Sequence, residues 1–367
     1  MFTADYILDS FTPGYPLERI APVDDVLFLD IETTGFTAKS SNLYLIGCAC
    51  YEDGRFHVHQ WMAEKYDEEA AVLEAFFTFA ASYHYLIHYN GNAFDIPYLQ
   101  QKAASLSLPY HFDGFDGLDI YKRIAPYKHF LKLSNCKQKT IEAFLGIGRE
   151  DKYSGGELIS IYHDYVKEPI EDFRDLLLLH NKEDIIGMLK VLPILAYHDL
   201  FNGEVNAKKV QANYYTDYSG NRRQELLMTL SLPTPLPVPV SLSVGGCYFK
   251  GEDDTATLKV PLIEEELKYF YANYKDYYYL PEEDVALHKS VADFVDKEFR
   301  VQATAATCYT RKYSLYLQQW DIIFEPFFKR EYKSKELFFE LTDEIKKDRK
   351  AFTTYARHVL DMMSSVY

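Results

Sequence analysis

The residues with the clearest capacity for chemistry are Asp30 and Glu32, two positions apart at the end of an apolar run. Residues i and i+2 of a strand point to the same side, so this spacing predicts two adjacent carboxylates at a strand end. Neighbouring anions near a core repel each other and lose hydration, which destabilises them unless a cation compensates. The pair therefore indicates a divalent metal site, although a turn cap or a partner for a basic side chain also explains an isolated Asp-x-Glu.

A second polar pair lies on a predicted helix over residues 171–192. His180 and Asp184 are one turn apart on a stripe that is otherwise apolar, formed by Phe173, Leu177, Met188 and Val191. A lone histidine on such a face is more often a satisfied core residue than a catalyst. An aspartate beside it, facing a sheet that already bears two carboxylates, indicates that both residues belong to a site.

Two further aspartates follow predicted strands. Asp95 precedes Ile96 and Pro97 and would be a helix cap in isolation, but its place at the same predicted sheet end lets it supply a fourth carboxylate. We interpret Asp119, which also follows a strand, as a helix cap.

The four carboxylates of Asp30, Glu32, Asp95 and Asp184 offer hard oxygen donors, which suit Mg²⁺ or Mn²⁺ and not zinc. Two such ions ~4 Å apart would stabilise the attacking and leaving oxygens in phosphodiester hydrolysis. His180, one turn before Asp184, is placed to act as the general base. The sequence thus predicts a nuclease that uses two metal ions.

Strands and helices that could position these residues follow from the hydrophobic pattern. The run at 25–32 is apolar on both faces, which is typical of a central buried strand. Glu52-Asp53-Gly54 separates the next two strand-like runs and is a hairpin signal. The predicted strands are 25–32, 43–51, 55–61 and 84–89, and the predicted helices are 67–80, 97–105, 138–145, 156–165 and 171–192. This order predicts an α/β fold with a mixed sheet flanked by helices.

The chain changes character after about residue 201, and we expect a smaller α+β domain of unknown role there. Prolines at alternate positions within Thr229–Val240 are incompatible with a central strand and predict an extended connector or a sheet edge. Strands are expected at 240–250 and 255–263 around a turn at 251–254, and Pro281 is a predicted helix start. The predicted domains are 1–203 and 204–367, with the boundary falling within 203–240.

The net charge of −16 argues against general binding of nucleic acid, which depends largely on Lys and Arg. Residues 121–140, however, contain six basic residues and no acid. This segment is either a phosphate-binding surface or a solvated basic face. The candidate nucleic-acid contacts are Thr33, Asn90, Lys132, Lys137 and Lys139.

The five cysteines are odd in number and include no Cys-x-x-Cys pair, so neither a disulfide framework nor a cysteine-built zinc site is expected. No apolar run reaches the ~18 residues of a membrane span, and the N-terminus lacks the pattern of a secretory signal. We expect a cytoplasmic protein without membrane association.

Tyrosine and phenylalanine are unusually frequent, with 32 and 25 residues. One short stretch is especially rich in them and could stack bases of a single strand. Acidic neighbours have the wrong charge for that role, and aromatics so closely spaced are more often core and sheet packing. The stretch comprises Tyr269, Phe270, Tyr271, Tyr274, Tyr277, Tyr278 and Tyr279.

Three motifs occur in order along the first domain. They are Leu29-Asp30-Ile31-Glu32-Thr33-Thr34-Gly35, Tyr89-Asn90-Gly91-Asn92-Ala93-Phe94-Asp95-Ile96-Pro97-Tyr98-Leu99 and His180-Asn181-Lys182-Glu183-Asp184. With them, the segment from Asp25 to Tyr197 resembles the DnaQ-like (DEDD) 3′–5′ exonuclease superfamily, and more closely its YprB-type branch. The resemblance implies a ribonuclease H-like mixed sheet, two metal ions and 3′ to 5′ exonuclease action.

The motifs depart from that superfamily at one position. Its general base is either a tyrosine four residues before the last aspartate or a histidine five before it, whereas His180 stands four before Asp184. A neutral imidazole is a better base than a phenol near pH 7, so activity is compatible with this offset. The attacking water could equally be positioned by other groups.

The leading hypothesis is a metal-dependent 3′–5′ exonuclease acting on single-stranded DNA or RNA. Its rival is a non-catalytic platform that binds nucleic acid or protein on a nuclease fold. A complete set of four mutually repelling acids argues against that rival. A third hypothesis assigns protein binding to the aromatic C-terminal part, making the chain an adaptor that carries a nuclease.

Overall fold

The computed structural model describes residues 1–153 and 155–365. The chain divides into two units, Met1–His198 and Asp199–Tyr367. Among the described residues, no helix has both the length and the apolar character that a membrane span needs. The boundary at residue 203 that the sequence predicts remains a proposal.

The N-terminal unit is an α/β fold built on a six-stranded mixed sheet in the order β1-β4-β3-β2-β5-β6. Strands β1 to β4 pair in antiparallel fashion, whereas β2, β5 and β6 are parallel. The strands are β1 (Phe2–Leu8), β2 (Val26–Thr33), β3 (Leu43–Glu52), β4 (Arg55–Met62), β5 (Tyr85–His88) and β6 (Asp116–Asp119). The helices are α1 (Glu69–Ala80), α2 (Asp95–Ser105), α3 (Ile120–Ile124), α4 (Gln138–Phe144), α5 (Gly155–Lys167) and α6 (Glu171–Val191), and α7 (Leu195–Asn202) leads into the second unit.

Helices cover both faces of this sheet. One face packs against α1 and α2 in a core that includes Leu27, Leu29 and Phe76. The opposite face packs against α5 and α6 around Leu45 and Leu177. Strand β2 lies between an antiparallel and a parallel neighbour, so both of its faces are covered, as its apolar sequence predicts.

The C-terminal unit contains two antiparallel sheets, with strand orders β14-β15-β13-β9-β8-β7 and β11-β10-β12. Its strands are β7 (Asn206–Thr216), β8 (Arg222–Val244), β9 (Cys247–Phe270), β10 (Tyr277–Leu280), β11 (Val285–His288), β12 (Val301–Gln302), β13 (Tyr309–Gln319), β14 (Phe327–Phe328) and β15 (Leu337–Glu340). Its remaining helices are α8 (Lys289–Ala292), α9 (Asp343–Lys347) and α10 (Arg349–Ser365).

The proline run lies in β8 beyond Ser231, where pairing with β7 ends. Its alternate prolines therefore occupy a local edge of the sheet, as their missing N–H groups require. The turn expected at 251–254 is wrong, since the hairpin closes at Gly245 and Gly246, which both have positive φ. Two consecutive glycines accommodate such a two-residue loop better than the acidic segment does.

The helix expected at Pro281 is also wrong. Residues 281–284 form a turn between β10 and β11. Asp284 has a positive φ there and accepts hydrogen bonds from the hydroxyls of Tyr279 and Tyr309. These contacts hold the acidic side chain in a loop conformation, so it does not serve as part of a first helical turn.

The aromatic stretch packs within the C-terminal unit. Tyr271 stacks on Tyr277 with ring centroids 4.9 Å apart, and both rings lie against a small core formed by Ala286, Ala303 and Cys308. The packing interpretation is confirmed for Tyr271, Tyr274, Tyr277 and Tyr279, which all pack against that core.

Candidate active site

Strand β2 presents Asp30 and Glu32 on the sheet face that packs against α6. The Asn181 side-chain amide donates to Asp30 Oδ2 at 2.9 Å. Gln60 in turn donates to Asn181 Oδ1 at 2.8 Å. Asn181 is fully buried, so this relay from β4 through α6 fixes one oxygen of Asp30.

Close approach of α6 to the sheet depends on Gly47 of β3, which pairs with Asp30. A Cβ at position 47 would lie 1.9 Å from Asn181 Oδ1. No side chain fits in that space, which explains the glycine within an otherwise buried strand.

Helix α6 delivers His180 and Asp184 to the same place. His180 Nε2 lies 3.8 Å from Glu32 Oε1 and 3.4 Å from Asp184 Oδ2. Glu32, His180 and Asp184 each offer one ligand atom within 4.8 Å of the others. Their geometry could hold a metal ion.

Asp95 opens α2 and is 7% exposed. Burial raises the pKa of this carboxyl to about 7, against backbone N–H groups of Asp95 itself and Ile31 that hydrogen-bond to it. The N–H of Ile31 ties Asp95 to β2, between the two acids of that strand. The structure thus brings all four predicted carboxylates together.

The electrostatics of the cluster indicates that a compensating positive charge is missing. Burial raises the pKa of Asp30 well above its ordinary value, and the charges of Asp184, Glu32 and Asp95 raise it further. Glu32 behaves likewise, with burial first and Asp184 next, although Tyr44 donates a hydrogen bond to it. Ionised carboxylates are therefore destabilised here by both desolvation and repulsion. Divalent cations that prefer oxygen ligands would relieve both effects. The four carboxylates supply such ligands, so the residues present fit Mg²⁺ or Mn²⁺.

Sequence reasoning missed Asp151, which lies in the loop between α4 and α5. Its Oδ2 is 2.7 Å from His180 Nδ1, and its side chain is 2% exposed. Burial opposes ionisation, but hydrogen bonds from the Tyr153 N–H and from His180 lower the pKa of Asp151. An anionic Asp151 accepts a hydrogen bond from the Nδ1–H group of His180, which leaves Nε2 facing Glu32 and Asp184.

Glu183 of α6 fixes the loop that carries Asp151. Its carboxylate accepts the backbone N–H groups of Glu150 and Asp151, at 2.9 Å and 2.7 Å. Glu183 belongs to the third motif, but only the folded loop shows which backbone groups it meets. No local pattern in the sequence marks Asp151 as a partner of His180.

The same loop supplies a cation to the cluster. Arg149 binds Glu142 with two guanidinium nitrogens and contacts Asp184 Oδ1 at 2.5 Å. Gln138 donates to the backbone carbonyl of Asp184 at 2.8 Å. One oxygen of Asp184 therefore meets Arg149, and the other faces His180.

The predicted nucleic-acid contacts lie in different surroundings. Thr33 Oγ1 donates to the Gly35 carbonyl at 2.9 Å, and Asn90 has a φ of +62°. Lys139 Nζ is 3.6 Å from Asp151 Oδ2, which connects this basic residue to the site. Lys132 and Lys137 are exposed, and neither forms an ion pair with a described residue.

Asp119 acts as the expected helix cap, because its Oδ1 accepts the Lys122 N–H at 3.3 Å at the start of α3. The same oxygen accepts the Asn90 N–H at 2.9 Å and so fixes the turn ahead of Asp95.

Residues 27–196 match the family model RNase_H_2, described as the RNase_H superfamily. The mixed sheet and this match support a ribonuclease H-like fold for the N-terminal unit. No curated protein sequence matches the chain.

Several solved structures are similar to the chain at low identity. A family B DNA polymerase from the archaeon Pyrobaculum calidifontis is 15% identical with a TM-score of 0.33, covering 72% of this chain and 39% of the polymerase. E. coli ExoI in a complex with single-stranded DNA is 12% identical with a TM-score of 0.29, covering 57% of this chain and 55% of ExoI. A complex titled ExoI/SSB-Ct is also 12% identical, with a TM-score of 0.27 and coverage of 56% and 55%. The chain thus spans about half or less of the length of these proteins.

Proposed function

We propose that the N-terminal unit is a metal-dependent nuclease of the DnaQ-like DEDD type, a 3′–5′ exonuclease that hydrolyses single-stranded DNA or RNA. One observation carries the proposal. Asp30, Glu32, Asp95 and Asp184 come from three separate elements and meet in one buried cluster that raises the pKa of three of them. The ionised form of such a cluster is destabilised unless cations bind, and bound divalent cations are what phosphodiester hydrolysis requires.

Each residue near the cluster has a part in this mechanism. The four carboxylates would hold two divalent cations, which when bound stabilise the attacking and leaving oxygens. Nε2 of His180 accepts a proton from the attacking water. Asp151 keeps the Nδ1 proton in place and stabilises the imidazolium that results, as a positioning residue that does not touch the substrate.

Phosphate contacts come from groups at the edge of the cluster. Lys139 is already beside Asp151, and Lys132 and Lys137 add positive charge in an otherwise acidic chain. Their contribution to affinity would be electrostatic and sensitive to salt. Thr33 and Asn90, which flank the carboxylates in sequence, are proposed to contact the terminal nucleotide.

Two coarser assignments accompany the nuclease. The five cysteines are free and buried, which supports the cytoplasm as the setting. The C-terminal unit is proposed to bind a protein partner, in line with the third hypothesis from the sequence.

The test is hydrolysis of single-stranded DNA and RNA labelled at the 5′ end, with and without Mn²⁺. Wild type is expected to shorten one or both strands stepwise from the 3′ end, whereas Asp30→Asn leaves them intact. Asp24→Asn is the matched control, because Asp24 is exposed and precedes β2, outside the carboxylate cluster.

Two results would overturn the proposal. If wild type and Asp30→Asn leave both substrates equally intact, the fold serves as a binding platform. Internal cuts without stepwise shortening would identify an endonuclease and contradict the exonuclease assignment.

A further inference from the structure

A second group of metal-ligating side chains lies on the other face of the N-terminal sheet, away from the carboxylates. Cys50 and Glu52 of β3 and His59 of β4 each offer one ligand atom within 4.8 Å of the others. Cys50 and Glu52 are two residues apart and therefore share a face. Strand β3 pairs with β4 in the register Cys48 to His59, which puts His59 on that face too.

The hydrogen-bond pattern of His59 is compatible with a metal-ligating histidine. Its Nδ1 is 2.6 Å from Asp5 Oδ1 on the neighbouring strand β1. Its Nε2 is buried and has no hydrogen-bond partner among the described residues. Metal-bound histidines commonly donate one ring N–H to a carboxylate and ligate through the other nitrogen. Asp5 holds His59 in that arrangement.

The other two ligands are also held in place. Tyr83 donates a hydrogen bond to Glu52 Oε1 at 2.7 Å, and that bond is the main reason why the pKa of Glu52 is lowered. Cys50 is fully buried beside them, and burial raises the pKa of its thiol to about 12. The Cys50 thiol forms side-chain hydrogen bonds with Tyr83 and Glu52, so these groups are in contact. The buried Nε2 of His59, which has no partner among the described residues, has no evident role in packing alone.

His57 adds a second unpaired imidazole at this place. Its ring stacks on that of His59 with centroids 6.1 Å apart and planes 9° apart. Its Nε2 is likewise buried without a partner in the described chain. Two adjacent imidazole nitrogens without hydrogen-bond partners, next to a thiol and a carboxylate, indicate a metal site more strongly than either nitrogen does alone.

We propose that Cys50, Glu52 and His59 bind a zinc ion. Sulfur and imidazole are donors that zinc prefers and Mg²⁺ does not, and one carboxylate completes a set of three protein ligands. Solvent or His57 fills the fourth tetrahedral position. On binding, the Cys50 thiol loses its proton to solvent as the zinc–sulfur bond forms. The site would link β3 to β4 and so stiffen the strands that also carry Gly47 and Gln60.

Cobalt(II) is the probe that separates this site from the carboxylate cluster. A thiolate ligand gives Co²⁺ a charge-transfer absorption in the near ultraviolet, which ligands limited to oxygen and nitrogen do not give. Metal-free wild type titrated with Co²⁺ is expected to develop this absorption and to lose it when Zn²⁺ is added. Cys50→Ser is expected to abolish it.

Cys48→Ser is the matched control, since Cys48 is equally buried two residues earlier on the same face. It should keep the absorption. His59→Gln keeps the thiol but removes a ligand, and should weaken Zn²⁺ affinity by at least about tenfold. If Cys50→Ser does not fold, His59→Gln is the variant that decides.

Three outcomes contradict the site. Wild type gives no thiolate absorption with Co²⁺, Cys48→Ser and Cys50→Ser lose it equally, or His59→Gln binds Zn²⁺ as tightly as wild type. None of these readouts depends on hydrolysis, so the zinc proposal can be contradicted without contradicting the nuclease proposal, and the reverse.

Discussion

Two aspartate–histidine pairs occupy opposite faces of the same sheet, with nearly equal geometry. His180 Nδ1 lies 2.7 Å from Asp151, and His59 Nδ1 lies 2.6 Å from Asp5. Their surroundings differ, because the Asp151 side chain is 2% exposed and that of Asp5 is 71% exposed. A carboxylate shielded from water interacts more strongly with its partner than one screened by solvent. The distance alone therefore does not indicate how much each pair contributes.

The groups that each histidine faces differ as well. Nε2 of His180 faces the carboxylates of Glu32 and Asp184. Their oxygens suit exchangeable cations that can also bind a substrate. His59 stands beside a thiol, which suits a tightly held zinc ion. One sheet would then carry a catalytic cluster on the α6 face and a structural one on the α1 face.

Metal removal is expected to have the largest effect among the tests of these two assignments. Treatment with EDTA is expected to lower hydrolysis by about 10³-fold or more, since the cations contribute several kcal/mol to the transition state. Mg²⁺ or Mn²⁺ alone should restore it when the rate is measured on an end-labelled strand. Recovery with Zn²⁺ alone, and not with Mg²⁺ or Mn²⁺, would contradict the assignment of Mg²⁺ or Mn²⁺ to the carboxylate cluster.

Asp151→Asn tests the buried pair. We expect kcat to fall about 10- to 100-fold with little change in KM, because the neutral amide no longer stabilises the imidazolium or fixes its orientation. Asp164→Asn is the control, since Asp164 is exposed on α5 and, within residues 1–153 and 155–365, forms an ion pair only with Lys167. Equal kcat values for the two variants would show that the Asp151 contact has no part in orienting His180.

Gly47→Ala tests how tightly α6 must pack on its face. The added Cβ would displace Asn181 from Asp30, and the free energy of unfolding should fall by about 1–3 kcal/mol. Gly114→Ala is the comparison, because no atom lies within 4 Å of its Cβ position, and a change within about 0.5 kcal/mol is expected. Denaturant unfolding measures both. Equal stability of the two variants would contradict the close packing.

Asp5→Asn tests the exposed pair and has the smallest expected effect. It rests on the zinc proposal, and Zn²⁺ affinity measured by competition with Co²⁺ should fall by less than about tenfold, because solvent already screens this carboxylate. A loss of zinc as complete as that in His59→Gln would make Asp5 a ligand and not an orienting group.

The sequence predicted strands β2 to β5 to within a few residues because their signals are local, but it missed the edge strands β1 and β6. Strand β2 is apolar on both faces, and Asp53 and Gly54 have the positive φ values that the hairpin signal implies. Helix α6 ends at Val191, just before Pro193, for an equally local reason. The carboxylates follow from these elements, because two strand positions and one helix stripe place them at the same end.

Other features depend on contacts that no short pattern contains. The roles of Asp151 and Arg149 arise when their loop folds back on α6. The ligands at Cys50 and His59 lack the spacing of a zinc motif, because strand pairing brings them together. In the C-terminal unit, Asp284 meets the hydroxyl of Tyr309, 25 residues away in the chain, and this contact favours a turn over the expected helix.

The hydrogen bond between Asn181 and Asp30 joins residues 151 positions apart. Closing so long a loop costs conformational entropy, so we expect this contact to form late in folding. Hydrolysis should therefore recover on refolding only after the bulk of the secondary structure has returned, with a lag between circular dichroism and activity. On the proposed function, a chain in which α6 has not yet docked holds Asp30 and Glu32 but lacks His180 and Asp184 at the site, so we expect no hydrolysis before α6 docks.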